Sequence, residues 1–117
     1  MGWEINGTDE FAEWYSALAD AEQDAVIAVV EMLAEHGPSL DRPYADRIKG
    51  SKHHNMKELR PRGKAKNCRV LFMFDPRREA ILLVGGDKTG QWEHWYITAI
   101  PRAEELYEQY LADINID

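Results

Sequence analysis

Two spacings of apolar residues divide the chain. Between Asn55 and Gly90 the apolar residues come in short runs or alternate with polar ones: Met56-Lys57-Glu58-Leu59-Arg60, then Cys68-Arg69-Val70-Leu71-Phe72-Met73-Phe74, then Glu79-Ala80-Ile81-Leu82-Leu83-Val84, opening into Gly85-Gly86-Asp87-Lys88-Thr89-Gly90. Pro61 ends the first run because it has no N–H to give to a ladder. Asp75-Pro76-Arg77-Arg78 suits a type I turn, with Asp at its first position and Pro at its second. Two near-continuous apolar runs so closely joined predict an antiparallel hairpin at the centre of a sheet. Pleating then sorts the side chains. If Val70, Phe72 and Phe74 face the core, then Arg69, Leu71 and Met73 share the other face, together with Glu58 and Arg60.

Elsewhere the spacing is helical. Trp3-Glu4-Ile5-Asn6 alternates and stops at Gly7, which predicts a short first strand. Thr8 can cap a helix with Asp9 and Glu10 in its first turn and Phe11, Trp14, Tyr15 and Leu18 on one stripe. Asp20 with Gln23 resembles a capping box for a second helix, whose stripe is Val26, Val29, Val30 and Leu33 and whose stop is Gly37-Pro38. The aromatic stripe reads as core. Ser39 to Asn55 has weak periodicity and reads as a basic loop carrying Arg42, Arg47, Lys49, Lys52, His53 and His54. Gln91 to Ala99, with Trp92, Trp95 and Tyr96, reads as a short helix. Pro101 suits the first turn of a final one, with Leu106, Tyr107, Tyr110, Leu111 and Ile114 as its stripe.

Residues 1–117 read as one α+β domain: a small antiparallel sheet packed by two N-terminal helices, with a helix at the C-terminus. Its size suffices for a core without staples. Cys68 is the single cysteine, so an internal disulfide is excluded, and its strand position predicts a buried thiol. The N-terminus lacks the positive region and apolar core of a signal peptide, and no apolar run approaches a membrane span. The expectation is a soluble cytoplasmic protein.

Charge changes the picture. The net charge of −7 conceals a segregation: residues 1–41 carry ten acids and no Lys or Arg, residues 42–102 carry all 14 basic residues against six acids, and residues 103–117 carry five acids. The overall balance argues against a nucleic-acid ligand, while the basic middle of the chain argues for one. Complementarity between acidic helices and a basic sheet explains part of this pattern, but not the crowding of Arg62, Lys64 and Lys66 into one connection. Glu58 and Arg60 read first as an ion pair of little worth at a surface. His53, His54, Cys68 and His94 have no recognised metal-ligand spacing, so no metal and no cofactor are expected. Gly85 to Gly90 is not a phosphate-binding P-loop, because Asp87 stands where a glycine must precede the lysine.

The order of short strand, two helices, basic loop, "MKELR", "RVLFMF", "ILLVGGDKTG", "WY" and "IPRAEELYEQYL" resembles the RelE/ParE toxin superfamily, and within it HigB-type and phage-derived Gp49-like toxins. The resemblance covers nearly the whole chain. It implies the same α+β fold and a toxin of a type II toxin–antitoxin pair, which cleaves messenger RNA on the ribosome without metal. It also implies a cognate antitoxin, of helix-turn-helix HigA-like type. The alternatives it leaves open are a ParE-like toxin that binds DNA gyrase and an inactive homologue that only binds its antitoxin. By resemblance Arg69 corresponds to a phosphate-contacting arginine, Lys88 to an often basic position, and Trp95 or Tyr96 to an aromatic used in stacking or proton transfer.

Metal-free RNA cleavage needs a base for the 2′-hydroxyl, cations for the phosphate and an acid for the leaving oxygen. The candidate set is Arg69 and Arg60 as cations, Glu58 or His54 as base, and Tyr96, Lys88 or His94 as acid. Lys57, Arg62, Lys64, Lys66 and Trp95 are the candidate RNA contacts.

Overall fold

The computed structural model describes residues 2–90 and 92–114. Its centre is a five-stranded sheet in the order β1-β5-β4-β3-β2. The strands are β1 (Glu4–Gly7), β2 (Ala45–Arg47), β3 (Lys57–Leu59), β4 (Cys68–Phe74) and β5 (Glu79–Asp87). The helices are α1 (Asp9–Ser16), α2 (Asp20–His36) and α3 (Trp92–Ile114). The expected hairpin is β4–β5, in register from Phe74↔Ala80 to Cys68↔Asp87. Asp75 closes it: its Oδ1 accepts from the backbone N–H groups of Arg77 (2.8 Å) and Glu79 (3.1 Å). Arg78 turns the chain in the left-handed region at φ 67°.

Alternation along these strands decides what each face meets. Val70, Phe72, Leu59, Ala80 and Leu82 pack with Val29 and Leu33 of α2, flanked by Phe11 and Trp14 of α1. Leu71, Met73, Ile81, Leu83 and Val84 pack with Ala99, Ile100, Ala103 and Tyr107 of α3. The expected split of faces is therefore present, but the second face is not open. α3 covers Leu71 and Met73, which are 0% and 4% exposed. The β4–β5 register skips Leu83, a bulge that turns both Leu83 and Val84 toward α3.

Several boundaries differ from expectation for identifiable reasons. Instead of a short helix and a separate final helix, one helix runs through Pro101. Proline removes one intrahelical hydrogen bond, to the carbonyl of Ile97. Ile97 and Pro101 lie on the exposed side, where water can take that carbonyl, while Ala99, Ile100 and Ala103 keep the other side packed. Gln91, the expected start of the short helix, and the side chain of Trp92 lie outside what is described.

The basic segment from Ser39 to Asn55 contains β2, an edge strand antiparallel to β3, too short to show a period. β1 pairs with β5 in parallel, so the sheet is mixed at that edge. β5 continues through Gly85 and Gly86. There a Cβ would come within 2.2 Å of Trp14 and 2.1 Å of Trp95, so the glycines admit an indole on each face.

Thr8 caps α1 as expected, its Oγ1 accepting from Phe11 N–H at 3.0 Å. At α2 only half a capping box forms: Glu22 accepts from the Ala19 N–H at 3.0 Å, and Gln23 instead donates to the Tyr15 carbonyl at 2.9 Å. Cys68 is buried against Val26 and Ala65. Burial, with the charges of Asp87 and Glu22, pushes its thiol up to about 11 against an opposing effect of Arg69.

Candidate active site

Glu58 lies mid-strand in β3, opposite Leu71 of β4, and therefore on the α3 side of the sheet. It is 3% exposed, so it is not the surface carboxylate expected from the sequence. A buried carboxylate requires cations or donors around it. Three residues from three different segments supply them. Arg60, just beyond β3, donates Nε–H to Oε2 at 2.8 Å. Tyr96 of α3 donates its hydroxyl to Oε1 at 2.6 Å. Arg69 of β4 brings its Nε to 3.8 Å from Oε2, an ion pair beyond hydrogen-bonding distance.

Arg69 is held by its own backbone surroundings. Its Nη1 donates to the carbonyls of Cys68 (2.7 Å) and Lys66 (3.0 Å), while its Nε is buried without a hydrogen-bond acceptor in range. Across the hairpin Arg69 faces Gly86. The missing side chain there leaves the space that Trp95 occupies, and Trp95 meets the Tyr96 ring edge-on at 5.0 Å. Lys88 follows β5, and its N–H donates to the Asn67 carbonyl at 3.0 Å. The Arg62-to-Asn67 connection is thereby tied to the site through both Arg69 and Lys88.

The electrostatics divide the two candidate proton donors. Lys88 is buried, and its pKa falls below the ordinary lysine value because burial and then the charges of Arg69 and Arg60 disfavour the ammonium, with Glu58 opposing. Tyr96 moves the other way: burial first, then its hydrogen bond and the charge of Glu58, raise its pKa far above the ordinary phenol. Lys88 is thus the better acid of the two, and Tyr96 keeps its proton and donates it in a hydrogen bond to Glu58.

The other candidates fall outside this group. Lys57 alternates to the opposite face, where its Nζ reaches toward the Pro38 carbonyl (3.4 Å) and lies 5.8 Å from the centre of the Phe74 ring. His54 is exposed and lines a cavity of about 520 Å³ with Arg42, Asp46, Arg47 and Lys49. A second cavity, of about 450 Å³ and lined by Arg47, Lys49, Glu58, Glu93 and Tyr96, opens beside Glu58. His94 is exposed in the first turn of α3.

Arg62, Lys64 and Lys66 are exposed and form no ion pair among the described residues. Other basic residues are used internally. Lys52 and His53 both meet Glu108 (2.8 and 2.9 Å), and Arg102 pairs with Glu10 at 2.8 Å, so acidic helices do neutralise part of the basic middle. Among the described residues no group of three or more His, Cys, Asp or Glu is disposed to hold a metal. Nor is any described helix long and apolar enough to cross a membrane.

Asp46 was missed by sequence reasoning. It sits in the aperiodic segment, and only its pairing opposite Glu58 across β2–β3 brings it to the site. From its place before Pro76, Asp75 reads as a turn former alone. It is also buried, accepting from the Tyr110 hydroxyl at 2.8 Å and so tying the hairpin to α3.

The arrangement of a mixed sheet between a helical pair and a long C-terminal helix is shared with RelE structures. RelE in the RelE–RelB complex of Pyrococcus horikoshii OT3 matches with a TM-score of 0.60 at 11% identity, over 78% of this chain and 99% of that one. The toxin–antitoxin complex RelBE2 of Mycobacterium tuberculosis matches at 0.57 and 13% identity, over 74% and 99%. At such identities the likeness is one of fold, and the fold is of RelE type.

Sequence narrows this. Residues 13–108 match the family described as phage-derived protein Gp49-like, and the chain belongs to that family. Two proteins of Mycobacterium tuberculosis (strain ATCC 25618 / H37Rv), both named as candidate toxins, are similar along most of this chain. HigB3 is 46% identical over 99 residues, 85% of each chain, and HigB2 is 40% identical over 116 residues, 98% of this chain. The chain spans 57% of the length of HigB2.

Proposed function

We propose that this protein is the toxin of a type II toxin–antitoxin pair and that it cleaves messenger RNA during translation without needing a metal. The observation that carries this reading is the convergence of Arg69, Lys88 and Arg60 around a buried Glu58, drawn from separate strands at one end of the sheet and bordered by Trp95 and Tyr96. Such a group can bind a phosphodiester and move its protons. The Glu58 carboxylate takes the proton of the 2′-hydroxyl, and the 2′-oxygen attacks phosphorus. Lys88 gives its proton to the departing 5′-oxygen, leaving a 2′,3′-cyclic phosphate and a 5′-hydroxyl. Arg69 stabilises the charge that grows on the phosphate oxygens, because a guanidinium matches them in shape and cannot be neutralised by the reaction. Tyr96 holds Glu58 rather than acting as the acid, since its own pKa is raised.

The exposed Arg62, Lys64 and Lys66 suit a longer polyanion running past the site, as ribosome-bound messenger would. The reading places the protein in the cytoplasm with an antitoxin of HigA-like type as its partner. Neutralisation fits a partner that covers this basic end.

The test is controlled expression followed by mapping of RNA 5′ ends, with and without the neighbouring reading frame. Cuts within translated messages, suppressed by co-expression, are expected. DNA breaks dependent on gyrase, with intact messages, would replace this reading with the ParE-like one, and growth arrest with neither would remove both.

A further inference from the structure

Asp46 and Glu58 stand directly opposite each other on neighbouring strands, on one face of the sheet. Two carboxylates so placed repel unless a cation lies between them. Arg60 is that cation. Its Nε donates to Glu58 Oε2 at 2.8 Å and its Nη2 to Asp46 Oδ2 at 3.2 Å. Asp46 is itself fixed: Oδ2 also accepts from Arg42 Nε at 3.0 Å, and Oδ1 accepts from the Arg47 N–H at 2.8 Å. The outer end of this chain of charges is open and its inner end closed: the Arg42 side chain is 73% exposed, Asp46 20%, Arg60 32% and Glu58 4%. The outer Arg42 pair is solvent-screened and contributes little. The inner pairs determine where the guanidinium of Arg60 points.

We infer that Asp46 is a positioning residue of the active site: it orients Arg60 so that Nε, and not the terminal nitrogens, addresses Glu58, and through Arg60 it aims the Glu58 carboxylate. A guanidinium on a long side chain has many rotamers. One anchored through Nη2 on one side presents a fixed Nε on the other. It follows that Arg60 is committed to carboxylates on both sides and serves to hold Glu58. The catalytic consequence rests on the nuclease reading, but the positioning itself does not, and the two are tested separately.

In ¹⁵N-labelled protein the Arg60 Nε–H, identified by its loss in Arg60→Lys, exchanges slowly with solvent because it is bonded to a buried carboxylate. Asp46→Ala is expected to speed that exchange by at least about tenfold, and Asp46→Asn, which keeps an acceptor, by less. Cleavage at saturating RNA should fall about 10- to 100-fold in Asp46→Ala, as for a small misplacement of a reacting group, with unchanged binding of RNA carrying a 2′-deoxy nucleotide at the scissile position. In an Arg60→Ala background, Asp46→Ala should have almost no further effect. An Arg60 Nε–H that exchanges as slowly in Asp46→Ala as in the wild type overturns the inference, as does an equal loss of rate with and without Arg60. If the wild type cleaves no RNA while the exchange still accelerates, the positioning stands and the nuclease reading falls.

Discussion

Replacing Arg69 by alanine separates a catalytic arginine from a structural one, and the structure sets the expected size of each effect. The Arg69 side chain is 12% exposed and its Nη1 donates to the carbonyls of Lys66 and Cys68. Hydrogen bonds made by a charged group have a net value of about 1.5–3 kcal/mol each when buried. Lys66 is exposed, so water can reach its freed carbonyl, and the summed loss should be about 1–3 kcal/mol. Glu58 is not stranded by the change, because Arg60 and Tyr96 remain on its two oxygens. The roughly 3–5 kcal/mol cost of an uncompensated buried charge therefore does not arise. At roughly 4 °C per kcal/mol for a domain of this size, the melting temperature should drop by roughly 4–12 °C and the protein should stay folded at 25 °C. The rate loss should be larger than the stability loss suggests. Removing a donor to a developing oxyanion costs about 2–4 kcal/mol of barrier, or about 30- to 1,000-fold. Thermal unfolding followed by circular dichroism and cleavage of a translated message are measured on the same preparation. A variant unfolded at 25 °C would make Arg69 chiefly the structural partner of Glu58. One that cleaves at the wild-type rate would remove Arg69 from the chemistry.

Other perturbations test neighbouring parts of the same reasoning. Because burial and the nearby arginines lower the pKa of Lys88, cleavage should decline as pH rises through a value below the ordinary 10.5, and Lys88→Arg should abolish both that limb and most of the rate. The linked stability has a definite sign: the folded state binds fewer protons than the unfolded one between the two pKa values, so this contribution to stability grows as pH rises toward 10.5, measurable by denaturant titration in Lys88→Met against wild type. Charge reversal of Arg62, Lys64 and Lys66 together should leave stability within about 0.5 kcal/mol for each exposed site. It should weaken RNA or ribosome binding and flatten its salt dependence, and affinity that is already salt-independent in the wild type would contradict a phosphate-led interface. Gly86→Ala drives a Cβ to 2.1 Å from the Trp95 indole, whereas Gly85→Ala meets Trp14 on the other face. Both should cost about 1–3 kcal/mol by overpacking, but only Gly86→Ala should lower cleavage per folded molecule, and equal losses from the two would deny Trp95 a place in the site.

Local chemistry along the chain was enough to determine the β4–β5 hairpin, the Thr8 cap, the Gly37 stop and the sorting of Val70 and Phe72 away from Arg69 and Leu71. These depend on periods of two and 3.6, on turn residues and on contacts within a few positions, all of which a single strand of text contains. It also brought Glu58, Arg60 and Arg69 to one face, since strand alternation is a local rule. What α3 covers was not local. Pro101 reads as a helix start because its missing N–H disfavours a helix interior, and the helix persists through it because Ala99, Ile100 and Ala103 pack on a sheet whose strands lie earlier in the sequence.

That same packing decided the character of the site. Glu58 became a buried carboxylate, rather than half of a surface ion pair, only when α3 closed over it and laid the Tyr96 hydroxyl on its oxygen. β2 and Asp46 were invisible for a related reason. Three residues, of which only Ala45 is apolar, are too few to show a period, and their strand exists only as a partner of β3. Lys57 and His54 share a basic stretch with the site in sequence but not in space, because the pleat sends one to the opposite face and the other lies out in the preceding loop. The opposite directions of the Lys88 and Tyr96 pKa values likewise belong to the tertiary structure. Burial and neighbouring charge set them, and both come from residues distant in the chain.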